Sequence, residues 1–374
     1  MMKTQFGISA VVCCFNGVSR LSETLEHLSR QENVSEFPCE LVFVDNASTD
    51  GSAQFIEQKW EDLGRPFPLR VVLEQKQGVA HARQTGVNCA NNEFIVFIDD
   101  DNWIEPYWFE RIYDVMISNP NIGVLASYGD PVTDKGNIIP EWFEGVKHGY
   151  ATGRQNLGSV RKQSKLTAFY SAGMTLRKSA MKQAQEHGFQ HLLVSRSGDK
   201  LTSGEDSEMT YVIMMLGWDA AFDPTLRFKH YMPVNRLTSD YACRLFQGLG
   251  ESTGVQDIYV RMAEGVSKGS PRALRRWLIS RIALAHIRSG VASLLARFAG
   301  DDVISVHQRV AASFFSGRAS GCMDALDRVD EISAQIRSVV GQTVRCGRLD
   351  PPLAGSSPAT SVLAGRSAAG ACDG

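Results

Sequence analysis

Three consecutive aspartates, Asp99, Asp100 and Asp101, close a short apolar run at residues 94–98. Three adjacent carboxylates repel one another strongly unless a cation sits among them. A hard divalent ion, Mg2+ or Mn2+, accepts carboxylate oxygens and also bridges phosphates. While strand geometry lasts, alternation turns Asp99 and Asp101 to one side, so the D-x-D spacing offers two oxygens to one ion. An isolated acidic run is also read as a solvated turn or a helix N-cap. Asp45 ends a second apolar run, residues 41–44. Glu205 and Asp206 follow Gly204 at a loop-to-helix junction. There the helix dipole favours ionised carboxylates.

The elements that must position these groups are legible in the apolar periodicity. Ile8–Cys14 is a β-rich run suited to a strand buried on both faces. Leu21, Leu25 and Leu28 follow at helical spacing. Residues 41–44 form a second strand, and Ser48-Thr49-Asp50 supplies an N-cap for the helix carrying Phe55 and Ile56. Leu69–Leu73 is a third strand, 79–90 a helix, 94–98 a fourth strand, and Trp108, Ile112 and Val115 fit the next helix. Strands alternating with helices predict an α/β fold with a mostly parallel, doubly wound sheet. In such a sheet ligands bind beyond the carboxyl ends of the strands. Asp45 and Asp99–Asp101 fall at two of those ends.

The middle of the chain is less regular. Strands are expected at 122–127, 169–176 and 226–228, with a helix at 206–216 and loops covering a site at 130–165. Residues 237–340 read as helical. The expected division is a catalytic domain at 1–236, a helical C-terminal region at 237–344, and a tail at 345–374. The tail is rich in Gly, Ala, Ser and Pro and poor in large apolar residues, a composition expected to stay disordered.

Composition narrows the function classes. Of 374 residues, 43% are hydrophobic and 21% charged, an ordinary globular balance. A formal net charge of −2 gives no general sign of a nucleic-acid binder, so no nucleic-acid partner is expected. The eight cysteines form no C-x-x-C pair, and Cys13-Cys14 read as small core residues. With no secretory leader read at the N-terminus, a reducing cytoplasm is the expected compartment. Residues 272–298 are basic and partly amphipathic, but Arg281, Arg288 and Arg297 interrupt any spanning segment. A helix packed on the catalytic domain is the expectation there, with peripheral contact at the inner face of the cytoplasmic membrane as its rival.

The ordered set of motifs resembles family 2 glycosyltransferases. Val11-Val12-Cys13-Cys14-Phe15-Asn16 is similar to that family's first strand. Val44-Asp45-Asn46-Ala47-Ser48-Thr49-Asp50-Gly51-Ser52 resembles its V-D-D-G-S-T-D-G segment. The stretch from Gln77 to Gly86 resembles its G-x-x-x-A-R-N-x-G helix start, and Gly204-Glu205-Asp206 its late E-D motif. Together with the aspartate run, the resemblance covers about residues 8–230. Cys13-Cys14, Asn46-Ala47 and Gln84 depart from the common pattern without removing a carboxylate of the expected metal site.

That resemblance implies a GT-A fold and an inverting enzyme. It would move a sugar from a nucleotide-sugar donor, UDP-linked at family level, to a glycan or lipid-linked acceptor in surface polysaccharide synthesis. Asp45 would accept a hydrogen bond from the uracil ring. Asn16 and Arg83 would help hold the nucleotide, with Asp100 beside them, and Asp99 would face the ribose. Asp101, completed by His230, would hold Mn2+ or Mg2+, and Asp206 would be the general base. Two other readings stand beside it. A sugar-nucleotide nucleotidyltransferase would need a Gly-rich phosphate loop, which residues 8–20 lack. A non-catalytic carbohydrate-binding relative has no need for both Asp101 and Asp206.

Overall fold

The computed structural model describes residues 6–155, 166–193, 201–265, 269–300 and 302–341. The expected tail at 345–374 and part of the 130–165 stretch lie outside them. The alternating half builds β1 (Ile8–Cys14), α1 (Val18–Ser29), β2 (Cys39–Asp45), α2 (Ser52–Asp62), β3 (Leu69–Leu73), α3 (Val79–Cys89) and β4 (Phe94–Asp99). Next come β5 (Asn102–Ile104), α4 (Trp108–Ser118), β6 (Ile122–Val132), α5 (Phe143–Val146) and β7 (Thr175–Arg177). Then follow α6 (Lys178–Glu186), α7 (Glu205–Met215) and β8 (Asp219–Tyr231). Four helices complete the described chain: α8 (Ser239–Ala263), α9 (Pro271–Phe298), α10 (Asp302–Asp327) and α11 (Val329–Val340).

The eight strands lie in the order β3-β2-β1-β4-β7-β6-β8-β5. The N-terminal side is parallel, as the alternation predicts. Beyond β4 the sheet is mixed: β7 runs antiparallel to both β4 and β6, and β5 antiparallel to β8. Four of the seven pairings are parallel. Strands β1 and β4 are buried on both faces because helices cover each side, which is why their sequences read as unbroken apolar runs.

Three local expectations change. The strand expected at 169–176 shrinks to Thr175–Arg177, because Gly173 takes a left-handed φ of +70° and breaks the extended run. The short strand expected at 226–228 is part of the thirteen-residue β8. Around Asp223-Pro224 the pairing of β6 with β8 shifts register in a bulge, and Asp223 accepts from the Thr225 backbone. The N-cap of α2 is Gly51, not a side chain from 48–50. Asp50 instead accepts from the backbone N–H groups of Ser52 and Val18, tying the first turns of α2 and α1 together.

The C-terminal helices are continuous with the sheet's core. Val255, Ile258, Tyr259, Leu274, Ile332 and Ile336 join Val11, Val42 and Phe97 in one apolar cluster. Helices α8 and α10 approach closely along Gly250, Gly254, Gly317 and Gly321. A Cβ on Gly317 would lie 2.0 Å from the Gln247 carbonyl oxygen, so only glycine fits.

Candidate active site

A cavity of about 660 Å3 opens where β1 and β4 end. That is within the range of small-ligand sites, roughly 300–1,000 Å3. Asp99, Asp100 and Asp101 line it from the end of β4 and the turn after it. Arg83 enters from α3, Glu205 and Asp206 from the start of α7, and His230 from β8. Strand geometry stops at Asp99, so the three aspartates point to separate partners rather than alternating. Asp99 accepts from Arg83 at 3.2 Å. Asp100 accepts from Arg20 at 2.6 Å. Asp101 accepts from Arg236 at 2.8 Å and lies 3.3 Å from His230 Nε2. The repulsion expected within the acidic run is therefore met by three arginines of the protein itself.

The environments set the carboxylates apart. Burial, with Asp101 beside it, pushes the Asp100 carboxyl up to about 6 in spite of Arg20. Burial would raise Asp101 too, but His230 and Arg236 hold it well below the usual carboxylate range. Burial, then the neighbouring Glu205, pushes Asp206 up to about 6 against Arg83 and the Ser207 and Ser171 N–H groups. Burial also lifts the Cys13 thiol to about 12, so this cavity-lining cysteine carries no thiolate.

Glu205 and Asp206 have different tasks. Gly204, at φ +128°, turns the chain into α7 where a Cβ would strike Leu193. Glu205 is then buried, accepting from Arg83 at 2.8 Å and from the Gly204 N–H at 3.0 Å. Asp206 is half-buried, lines the cavity, and accepts from the Ser207 and Ser171 backbone N–H groups and from the Ser207 hydroxyl, with no cation among the described residues bonded to it. Arg83, buried between Asp99 and Glu205, stands over the Phe97 ring. Arg83→Ala leaves Glu205 buried without its cation and is expected to lower unfolding stability by about 3–5 kcal/mol. Denaturant unfolding reads this directly; an unchanged midpoint would mean that Glu205 does not need the pair.

Asn16 and Asp45 do not line the cavity. Asn16 Oδ1 accepts from the Thr49 N–H at 2.8 Å, and Asp45 Oδ1 from the Ser48 N–H at 2.9 Å. Asn16 thereby fastens the β1–α1 turn to the loop after β2, and Asp45 closes that loop onto the end of its own strand. Glu208, in the first turn of α7, is fully buried. It accepts from the Leu192 and Leu193 N–H groups and from the Tyr259 hydroxyl. Phe143 is core, and Trp103 is stacked between His27 and Tyr231, so neither is a free platform for a sugar.

Arg20 and Arg236 were missed by sequence reasoning. Arg20 carried a signal: a cation in the first turn of a helix opposes the dipole and needs an anionic partner. Arg236 carried none, because its partner Asp101 is 135 positions away. Tyr241, Leu245, Leu249 and Gln256 of α8 also line the cavity. The region expected to be an appendage thus supplies part of the wall.

An α/β sheet with a carboxylate-lined cavity at its strand ends and a helical wall has the arrangement in which open α/β sheets bind ligands. Residues 9–184 match the model of Glycosyl transferase family 2, and the fold is of the GT-A type. The chain is 29% identical over 133 residues to glycosyltransferase GlyG of Streptococcus pneumoniae, covering 35% of this chain and 42% of that one. It is 29% identical over 119 residues to an uncharacterised glycosyltransferase of Haemophilus influenzae, covering 32% and 37%. The matched region thus spans about two fifths of those relatives. Among solved structures, the mannosyltransferase PcManGT of Pyrobaculum calidifontis, in complex with GDP-Man and Mn2+, aligns with a TM-score of 0.53 at 18% identity. That alignment covers 86% of this chain and 88% of that one, and shows a shared fold.

Proposed function

We propose that this chain is an inverting, metal-dependent glycosyltransferase taking a nucleotide-sugar donor, with UDP as the nucleotide. It would transfer the sugar to a glycan or lipid-linked acceptor in polysaccharide synthesis. One observation carries the reading: a single cavity holds the aspartate run and, on a separate helix, a half-buried Asp206 raised to about 6. An inverting transfer needs one carboxylate to take the acceptor hydroxyl's proton as that oxygen attacks the sugar. Asp206 fits this role better than Glu205, whose carboxylate is occupied by Arg83.

The residues fit a divalent ion. Asp101 Oδ1 and His230 Nε2 stand 3.3 Å apart and offer an oxygen and a nitrogen to one cation. His230 Nδ1 is buried without a hydrogen-bond partner among the described residues. Among those residues no group of three or more His, Cys, Asp or Glu is placed to hold an ion by itself, so donor phosphate oxygens and water would complete the shell. When bound, the ion would neutralise charge building on the departing nucleoside diphosphate. Arg20, Arg83 and Arg236 add fixed positive charge to the same wall.

A donor-hydrolysis assay across UDP-, GDP- and dTDP-sugars, with and without Mn2+, tests the proposal. The expected result is Mn2+-stimulated release of UDP, and a product of inverted anomeric configuration by NMR. Activity unchanged by chelation would remove the metal. Hydrolysis of none of the donors would remove the reading altogether.

A further inference from the structure

Helix α9 is apolar on two opposite faces. Leu274, Leu278, Ala285 and Ala292 are buried on the face packed along α10. On the opposite side a second stripe runs through Ile287, Val291, Leu294 and Phe298, three and four residues apart, with Ile279 about two turns before them, each more than half exposed. Phe298 is 80% exposed. Only 17% of the helix's most apolar window is buried. A surface helix ordinarily shows one apolar stripe and a polar opposite face. Here the outer face is the one a soluble helix would make polar.

The charge on α9 says what covers it. The helix carries six arginines and no acidic residue. Arg272 and Arg276 begin the exposed stripe and Arg297 stands near its end. Among the described residues, none of these three makes an ion pair, whereas Arg275 is held by Asp330. We propose that this stripe docks the protein on an anionic phospholipid bilayer, with Ile287, Leu294 and Phe298 seated at the acyl boundary and Arg272 and Arg276 against lipid phosphates. A second copy of the chain fits less well. Pairing the stripe with itself would set arginines against arginines with no carboxylate on α9 to offset them. Spanning is not the arrangement, because Arg281 and Arg288 lie within the helix and α10 runs along its other side. The inference goes beyond sugar transfer and stands without it, though a lipid-linked acceptor would lie in the same plane.

Sedimentation of the full chain with vesicles tests it. Vesicles of phosphatidylcholine with phosphatidylglycerol should bind the protein, and phosphatidylcholine alone should bind it weakly. Ile287→Ser, Leu294→Ser and Phe298→Ser together should weaken binding by about tenfold or more, since each removes exposed apolar surface without touching the core. Arg272→Ser with Arg276→Ser should weaken binding to the anionic vesicles alone. Unfolding curves matching the parent would show that these variants fold. Failure of the parent to bind anionic vesicles, or undiminished binding by the triple variant, overturns the proposal. A dimer in light scattering that the triple variant dissociates, without vesicle binding, would assign the stripe to a second copy instead. Donor hydrolysis in vesicle-free buffer should be unchanged by the triple variant, so failure of the sugar-transfer reading would show separately.

Discussion

Asp206→Asn is expected to lower kcat by about 10²-fold or more while leaving donor affinity nearly unchanged. Asn keeps the shape and an oxygen for one of the two N–H groups, of Ser171 and Ser207, that hold the carboxylate by its separate oxygens. It cannot take a proton from the acceptor hydroxyl. A base acts in the transition state, so its loss falls on turnover and spares donor binding. Calorimetry with UDP and steady-state kinetics separate the two. The pH profile adds a sign. Burial and Glu205 raise Asp206 to about 6, so its base form is present above that pH. The parent's kcat should fall as pH drops through about 6, and the residual activity of Asp206→Asn should lack that limb. Glu205→Gln is the contrast: it weakens the buried pair with Arg83 and should show mainly as lost stability. If Glu205→Gln instead shows the larger, selective fall in kcat, Glu205 is the base.

The contrast between these neighbours shows where the sequence stops. That the two carboxylates sit at a loop-to-helix junction was legible from Gly204 and the apolar spacing of α7. Which of them is free was not, because that depends on Arg83, 122 positions away from Glu205. The parallel half of the sheet was legible for a related reason: its strands are buried on both faces, so hydrophobicity alone marks them. Strand β7 was harder. Only Thr175–Arg177 pairs, and Phe169 is buried outside any strand, so an apolar stretch overstated the ladder. The helical region was foreseen as helix but not as a cavity wall. Amphipathic spacing reports that a face is covered and not what it covers.

The same limit changes what the metal-site variant should do. From sequence, removing one of three adjacent carboxylates would relieve repulsion and leave the fold intact. In the structure Asp101 is 3% exposed and is the partner of both Arg236 and His230. Asp101→Ala would strand the half-buried Arg236 guanidinium and leave His230 without its partner, and so would confuse lost binding with lost folding. Asp101→Asn is the sharper variant, since it keeps an oxygen for Arg236 and an approximate shape while losing the charge a hard cation requires. It is expected to abolish the Mn2+-dependent part of UDP binding in calorimetry while a folded, if less stable, protein remains in thermal unfolding. Asp99→Asn should cost less stability, because the Asp99 side chain is 31% exposed and its partner Arg83 keeps Glu205. Undiminished Mn2+-dependent binding by folded Asp101→Asn would move the cation away from Asp101. It would leave the Asp101–Arg236–His230 cluster as a structural clamp between the β4 turn, β8 and the segment leading into α8.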